Sequence, residues 1–234
     1  MELALNLSLL LLGMTILVWG ANKFVDNSSI IAKHLGVGDL VIGLTLIAAG
    51  TSAPEVFVAI SAIINGNEDI ALGMAIGSNI SNIALIFGVA CLYFNANSNT
   101  ALWNFMPVGL SILMLGLTLA DGKISFNESM GFVGLFMLFM YIILKTEGVP
   151  EDESSESSEF IRSLVLCMVG LAGLIAGANI SIIYAENTAE LLGVPEIIIG
   201  LTIIALGTSL PELAASFAAL KQQKYQMVVG NIIG

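Results

Sequence analysis

Charge is the scarcest feature of this sequence. Only 11% of its 234 residues are Asp, Glu, Lys or Arg, while 57% are hydrophobic. A soluble domain of this length needs more polar surface than that, so the chain reads as a polytopic membrane protein. Cations are rarer still. Seven Lys and Arg stand against eighteen Asp and Glu, a formal charge of −11, which argues against a nucleic-acid partner. There is one histidine, His34, beside Lys33. A single imidazole makes no metal site, and His34 is expected in a loop facing lipid headgroups. The two cysteines, Cys91 and Cys167, both fall in apolar stretches. Lone buried thiols behave as small hydrophobes, so neither a disulfide nor a metal site is expected. A cleavable signal peptide is not evident. Met1-Glu2 leads straight into a full-length apolar span, without a basic start or a small-residue cleavage site.

Long apolar runs are what the sequence has in plenty. A spanning helix needs about 20 mostly apolar residues. Seven segments meet that length: 3–24, 40–64, 71–94, 103–120, 128–145, 160–184 and 197–220. An eighth starts near Gln226 and stops at Gly234, so the chain is expected to be truncated inside a transmembrane helix. If the N-terminus lies outside, Lys23, Lys33, Lys145, Arg162, Lys221 and Lys224 face the cytoplasm and only Lys123 faces out. That bias predicts an integral protein of the cell (inner or plasma) membrane with its N-terminus outside. Residues 147–159 are acidic and Ser-rich and read as a solvated cytoplasmic tether. They divide a first half, 1–146, from an incomplete second half, 160–234.

The two halves repeat each other. Gly50-Thr51-Ser52-Ala53-Pro54-Glu55 returns as Gly207-Thr208-Ser209-Leu210-Pro211-Glu212. Gly20-Ala21-Asn22 matches Gly177-Ala178-Asn179, and Leu35-Gly36-Val37 matches Leu192-Gly193-Val194. Every match has the same offset of 157, and 43–55 agrees with 200–212 at 10 of 13 positions. An odd number of spans separates corresponding points, so the second copy crosses the membrane in the opposite sense. The predicted fold is therefore an all-α membrane protein built as an inverted repeat of five helices.

Each copy places a carboxylate in the middle of a long apolar segment. Such a group is costly there and seldom lacks a task. Ser52 and Glu55 are three apart and share a helical face. Pro54 cannot donate to the Gly50 carbonyl, so a kink with a freed carbonyl is expected. Hydroxyl, carboxylate and carbonyl together form the all-oxygen mixture that hard cations such as Ca²⁺ take. Ser209, Glu212 and the carbonyl released by Pro211 supply the second half. Two midplane carboxylates match one Ca²⁺ or two to three monovalent ions. A Gly-Pro kink with a hydrogen-bonded structural acid is the plainer account of one copy, but two inverted copies argue against it. The next span adds Gly77-Ser78-Asn79-Ile80-Ser81-Asn82, in which Ser78 and Asn82 share a face. Asn79 and Ser81 point elsewhere and are given to packing between helices.

Two Gly-Thr-Ser-x-Pro-Glu motifs, one followed by Gly-Ser-Asn-x-x-Asn, resemble the alpha-repeats of the sodium/calcium exchangers. The resemblance covers essentially the whole chain from Gly20 on. It implies ten helices in two inverted halves, about seven and a half of them present here, and exchange of several Na⁺ for one Ca²⁺ by alternating access. It implies that Glu55 and Glu212 are the shared Ca²⁺/Na⁺ carboxylates and that Ser52 and Ser209 serve flanking Na⁺ sites. Ser78 completes one of those sites, and Asn82 sits at the central one. The carbonyls of Ala48, Thr51, Ala205 and Thr208 are the backbone ligands, with Thr51 and Thr208 joining the two Glu around Ca²⁺. Thr-Ser in both copies favours Na⁺ coupling, since proton-coupled relatives typically carry Asn in place of the Thr. By the offset, Gly77 corresponds to Gly234, so the mates of Ser78 and Asn82 fall beyond the sequence. The resemblance implies no enzyme activity and no cofactor. Its partners are Ca²⁺, Na⁺ and the lipid bilayer. H⁺/Ca²⁺ exchange, K⁺-dependent Na⁺/Ca²⁺ exchange and an inactive half-domain needing further helices are the alternatives. An intramembrane hydrolase is weaker, because no Asp pair, Ser-Lys pair or zinc set accompanies the motif.

Overall fold

A computed structural model describes residues 2–64, 66, 68–93, 106–118, 125–146, 157–195 and 205–233. These residues fold into helices joined by short turns. Helix α1 (Glu2–Leu35) leads to α2 (Asp39–Ile42), which runs through a π-helical turn, Gly43–Ile47, into α3 (Ala48–Thr51) and then α4 (Ala53–Ile64). Helix α5 (Glu68–Ser81) passes through a second π-helical turn, Asn82–Phe87, into α6 (Gly88–Tyr93). Next come α7 (Met106–Thr118), α8 (Phe126–Thr146) and α9 (Ser157–Leu191). The described residues close with α10 (Ala205–Thr208), α11 (Leu210–Lys221) and α12 (Tyr225–Ile233). Parts of the expected spans 103–120 and 197–220, and residues 147–156 of the tether, lie outside the described residues.

Among the described residues, three helices are long and apolar enough to cross a membrane: Glu2–Leu35, Phe126–Lys145 and Glu159–Leu191. Their exposed side chains include Leu11, Val18, Trp19, Ile161, Val165 and Met168. In a bilayer these face hydrocarbon at no cost, so their exposure needs no further partner. Two of these helices run past the spans expected from hydropathy, which end at 24 and 184. Lys33 and His34 belong to α1 and not to a loop, and the His34 ring stacks on Phe160 with centroids 4.4 Å apart. Ser157–Glu159, placed in the tether by composition, open α9. Cys167 is buried, 3.6 Å from the Ser28 hydroxyl, whereas Cys91 is exposed on α6.

Helices α1 and α9 are repeat mates and form the central pair. A β-carbon at Gly20 would lie 2.3 Å from the Leu174 amide nitrogen and 2.8 Å from the Gly170 carbonyl. One at Gly177 would lie 2.3 Å from the Leu17 nitrogen and 2.8 Å from the Gly13 carbonyl. Each contact is the image of the other under the offset of 157, and residue numbers rise along one helix as they fall along the other. The pair is therefore antiparallel about a pseudo-two-fold axis, as an inverted repeat requires. Backbones approach this closely only where glycine leaves out the side chain. Phe24, Val25, Leu174 and Cys167 fill the surrounding core with Leu220 and Met227.

Candidate functional site

Both motif copies break their helix at the serine. Ser52 has φ −86°, ψ 2°, and Ser209 has φ −89°, ψ 5°. The agreement of these off-helix angles is the backbone counterpart of the sequence repeat. Pro54 and Pro211 fall in the first turn of α4 and α11, where an N–H would go unused anyway. The break thus falls two residues before each proline. The chain resumes at once, with Val56 N–H donating to the Ser52 carbonyl and Leu213 N–H to that of Ser209, each at 3.0 Å. The Ala48 carbonyl accepts the Ser52 N–H at 2.9 Å and also lies 3.2 Å from the Thr51 hydroxyl.

The breaks bring the two halves together. The Ser52 hydroxyl, from the first copy, donates to Glu212 Oε1 of the second at 3.1 Å. Among the described residues, buried side-chain oxygens without a hydrogen-bond partner are Oε2 of Glu55, Oε2 of Glu212, Oδ1 of Asn82 and Oγ of Ser81. Three of these four acceptors belong to residues singled out by the motifs. Ser81, given to packing on helical spacing, is the addition. Buried acceptors are nearly always satisfied, and a cluster of unsatisfied ones calls for a positive partner. Asn82 opens the second π-helical turn, which packs against α11 and α12. Insertion of that turn shifts the helical register beyond Asn82.

The two copies are not equally enclosed. Glu212 and Ser209 are each 3% exposed and Thr51 is fully buried, whereas Glu55 and Ser52 are half-buried and Thr208 is exposed. A cavity of about 140 Å³ adjoins the more open side, between Pro54 and Glu55 of one copy and Gly207, Thr208 and Pro211 of the other. Asn179 of α9 completes its polar wall. Ser78 is half-buried, with its hydroxyl 3.4 Å from the Ala75 carbonyl. Ala205 begins α10.

Two polar residues join the site that the motifs do not announce. The Asn231 amide donates to the Glu212 carbonyl at 3.2 Å and to the Ser216 hydroxyl at 2.9 Å, and its oxygen lies 3.2 Å from the Thr51 hydroxyl. Their repeat mates are Met74 and Ala59, so symmetry cannot point to them. The available signal was a lone amide in the apolar run 227–233.

The family model described as sodium/calcium exchanger protein matches residues 5–145 and 162–234. The chain belongs to the sodium/calcium exchanger family. It is 34% identical over 281 residues to sodium/calcium exchanger MaX1 of Methanosarcina acetivorans, covering 99% of this chain and 79% of that one. It is 36% identical over 236 residues to the putative antiporter CaxA of Alkalimonas amylolytica, covering 96% of this chain and 74% of the relative. A solved structure of the sodium-calcium exchanger NCX_Mj, soaked with 10 mM Na⁺, superposes with a TM-score of 0.83 at 31% identity, over 99% of this chain and 78% of that one. Exchanger membership makes the chain an integral membrane cation/Ca²⁺ antiporter with the all-α, inverted-repeat exchanger fold.

Proposed function

We propose that this protein exchanges Na⁺ for Ca²⁺ by alternating access, through one midplane site that serves both ions. Glu55 and Glu212 are its two charges. Ser52 and Ser209 give hydroxyls to flanking Na⁺ positions, and Ser78 and Asn82 extend the site from α5. The carbonyls of Ala48, Thr51, Ala205 and Thr208 supply neutral backbone oxygens. The observation that carries this reading is the hydrogen bond from Ser52 of one copy to Glu212 of the other, beside two glutamate oxygens buried without a partner. A cation at that point neutralises both carboxylates. The Ser52 hydroxyl then turns its lone pairs, not its proton, to the ion. Exchange follows because the same charges cannot hold Ca²⁺ and the full set of Na⁺ together. The cavity beside Glu55 and Thr208 is the ions' route to the site from one face of the membrane. No covalent chemistry and no cofactor are involved.

Ca²⁺ binding to the purified natural protein, titrated at rising Na⁺, tests the shared site. The apparent Kd for Ca²⁺ should climb with Na⁺ without levelling off. A Kd that ignores Na⁺, or that reaches a plateau, would mean separate sites.

A further inference from the structure

We propose that Asn231 is a positioning residue for ion exchange, holding Thr51 and the Glu212 turn in register across the two halves. The inference rests on the exchange reading above. Close packing puts the residue there. A β-carbon at Gly230 would lie 2.6 Å from the Leu40 carbonyl, and one at Gly43 would lie 2.6 Å from that of Met227. Helix α12 therefore presses backbone to backbone on the first half, one residue before Asn231. The orientation of the amide follows from its partners. The Glu212 carbonyl can only accept, so the NH₂ group faces it and Ser216, and Oδ1 faces the Thr51 hydroxyl.

Asn231 is 3% exposed; both its N–H groups donate, and its oxygen shares the Thr51 hydroxyl proton with the Ile47 and Ala48 carbonyls, 3.1 and 3.2 Å from that hydroxyl. An amide so committed is a poor ion ligand and a good brace, because a satisfied buried network rigidifies its surroundings. The bonds close a ring. Asn231 holds Thr51; the next residue, Ser52, holds the Glu212 side chain; and the Glu212 main chain returns to Asn231. When a cation displaces the Ser52 proton from Glu212, the Asn231 arm still fixes the spacing of Thr51 and Glu212. Ca²⁺ needs its oxygens at about 2.3–2.6 Å, so a brace on that spacing bears on ion affinity. The repeat mate is Met74, whose thioether has no N–H to donate, so the repeat does not call for a second brace.

The test is a double-mutant cycle on Na⁺-dependent Ca²⁺ uptake by the intact natural protein in proteoliposomes. Asn231→Leu should raise the half-saturating Ca²⁺ concentration about tenfold and Thr51→Val about threefold, the range that losing one or two buried hydrogen bonds produces. The double variant should be no worse than Asn231→Leu, since both remove the same link. Three results would overturn the inference: multiplicative effects, unshifted half-saturation, or a fall in maximal rate alone. Should Asn231→Leu fail to purify as a single species, Thr51→Val decides, and its normal half-saturation would overturn the inference too. A wild type that moves no Ca²⁺ sinks the exchange reading, whereas a normal wild type with unshifted variants sinks only the role of Asn231.

Discussion

Glu55→Gln and Glu212→Gln should each abolish Ca²⁺ transport while the protein still folds. At a separation of ~4 Å, two unit charges interact by about 4 kcal/mol at an effective dielectric of ~20. Loss of one carboxylate therefore weakens Ca²⁺ binding by at least about a hundredfold. Folding is spared for a local reason. A glutamine at 212 keeps an oxygen to accept the Ser52 hydroxyl, and its new amide stands where Oε2 now has no partner. The substitution also removes one of two buried carboxylates whose second oxygen has no hydrogen-bond partner. The ion-free variants should thus unfold at or above the wild-type temperature. Radiolabelled Ca²⁺ flux and thermal unfolding in detergent check both halves of the statement. Near-wild-type flux in either variant rules out a two-carboxylate site.

Ser52→Ala and Ser209→Ala should weaken Na⁺ dependence more than Ca²⁺ dependence, raising half-saturating Na⁺ by about tenfold, the scale of one hydrogen bond or ligand to a charged group. A monovalent ion held partly by neutral oxygens has few strong partners to fall back on. Ca²⁺ draws most of its binding from the two charges and suffers less. The two serines share one backbone conformation at their helix breaks, so both substitutions should act in the same direction. Ser52 also donates to Glu212 across the halves, which makes it the more sensitive of the two. Half-saturating Na⁺ and Ca²⁺ concentrations, compared for each variant, provide the check. Equal losses for both ions would assign the serines to shaping the break alone.

Much of this architecture was legible in the residue pattern, for physical reasons. Hydropathy marks spans well because lipid tolerates so little else, and a motif repeated at constant offset announces symmetry wherever each copy carries an expensive charge. The antiparallel contact of Gly20 and Gly177 realises that symmetry in space. Helix ends were harder to place. Polar residues after 24 end the apolar run, yet Asn27, Ser28 and Ser29 stay helical and buried, because interior packing and not lipid surrounds them. The break at Ser52 instead of at the proline was also hidden, since a first-turn proline leaves the new helix intact. Face-counting assumes an unbroken helix, so it could not follow the chain past Asn82, where a π-helical turn begins. Asn231 and Ser216 were hidden because they break the repeat: their mates are Met74 and Ala59.

The central claim is that outward movement of Na⁺ drives Ca²⁺ uptake through this protein. The intact natural protein, reconstituted in sealed vesicles, can be given outward gradients of Na⁺, K⁺ or H⁺ one at a time while radiolabelled Ca²⁺ uptake is followed. The account predicts uptake with the Na⁺ gradient alone, undiminished when K⁺ is absent from both sides. Uptake driven by H⁺, or lost without K⁺, would contradict it.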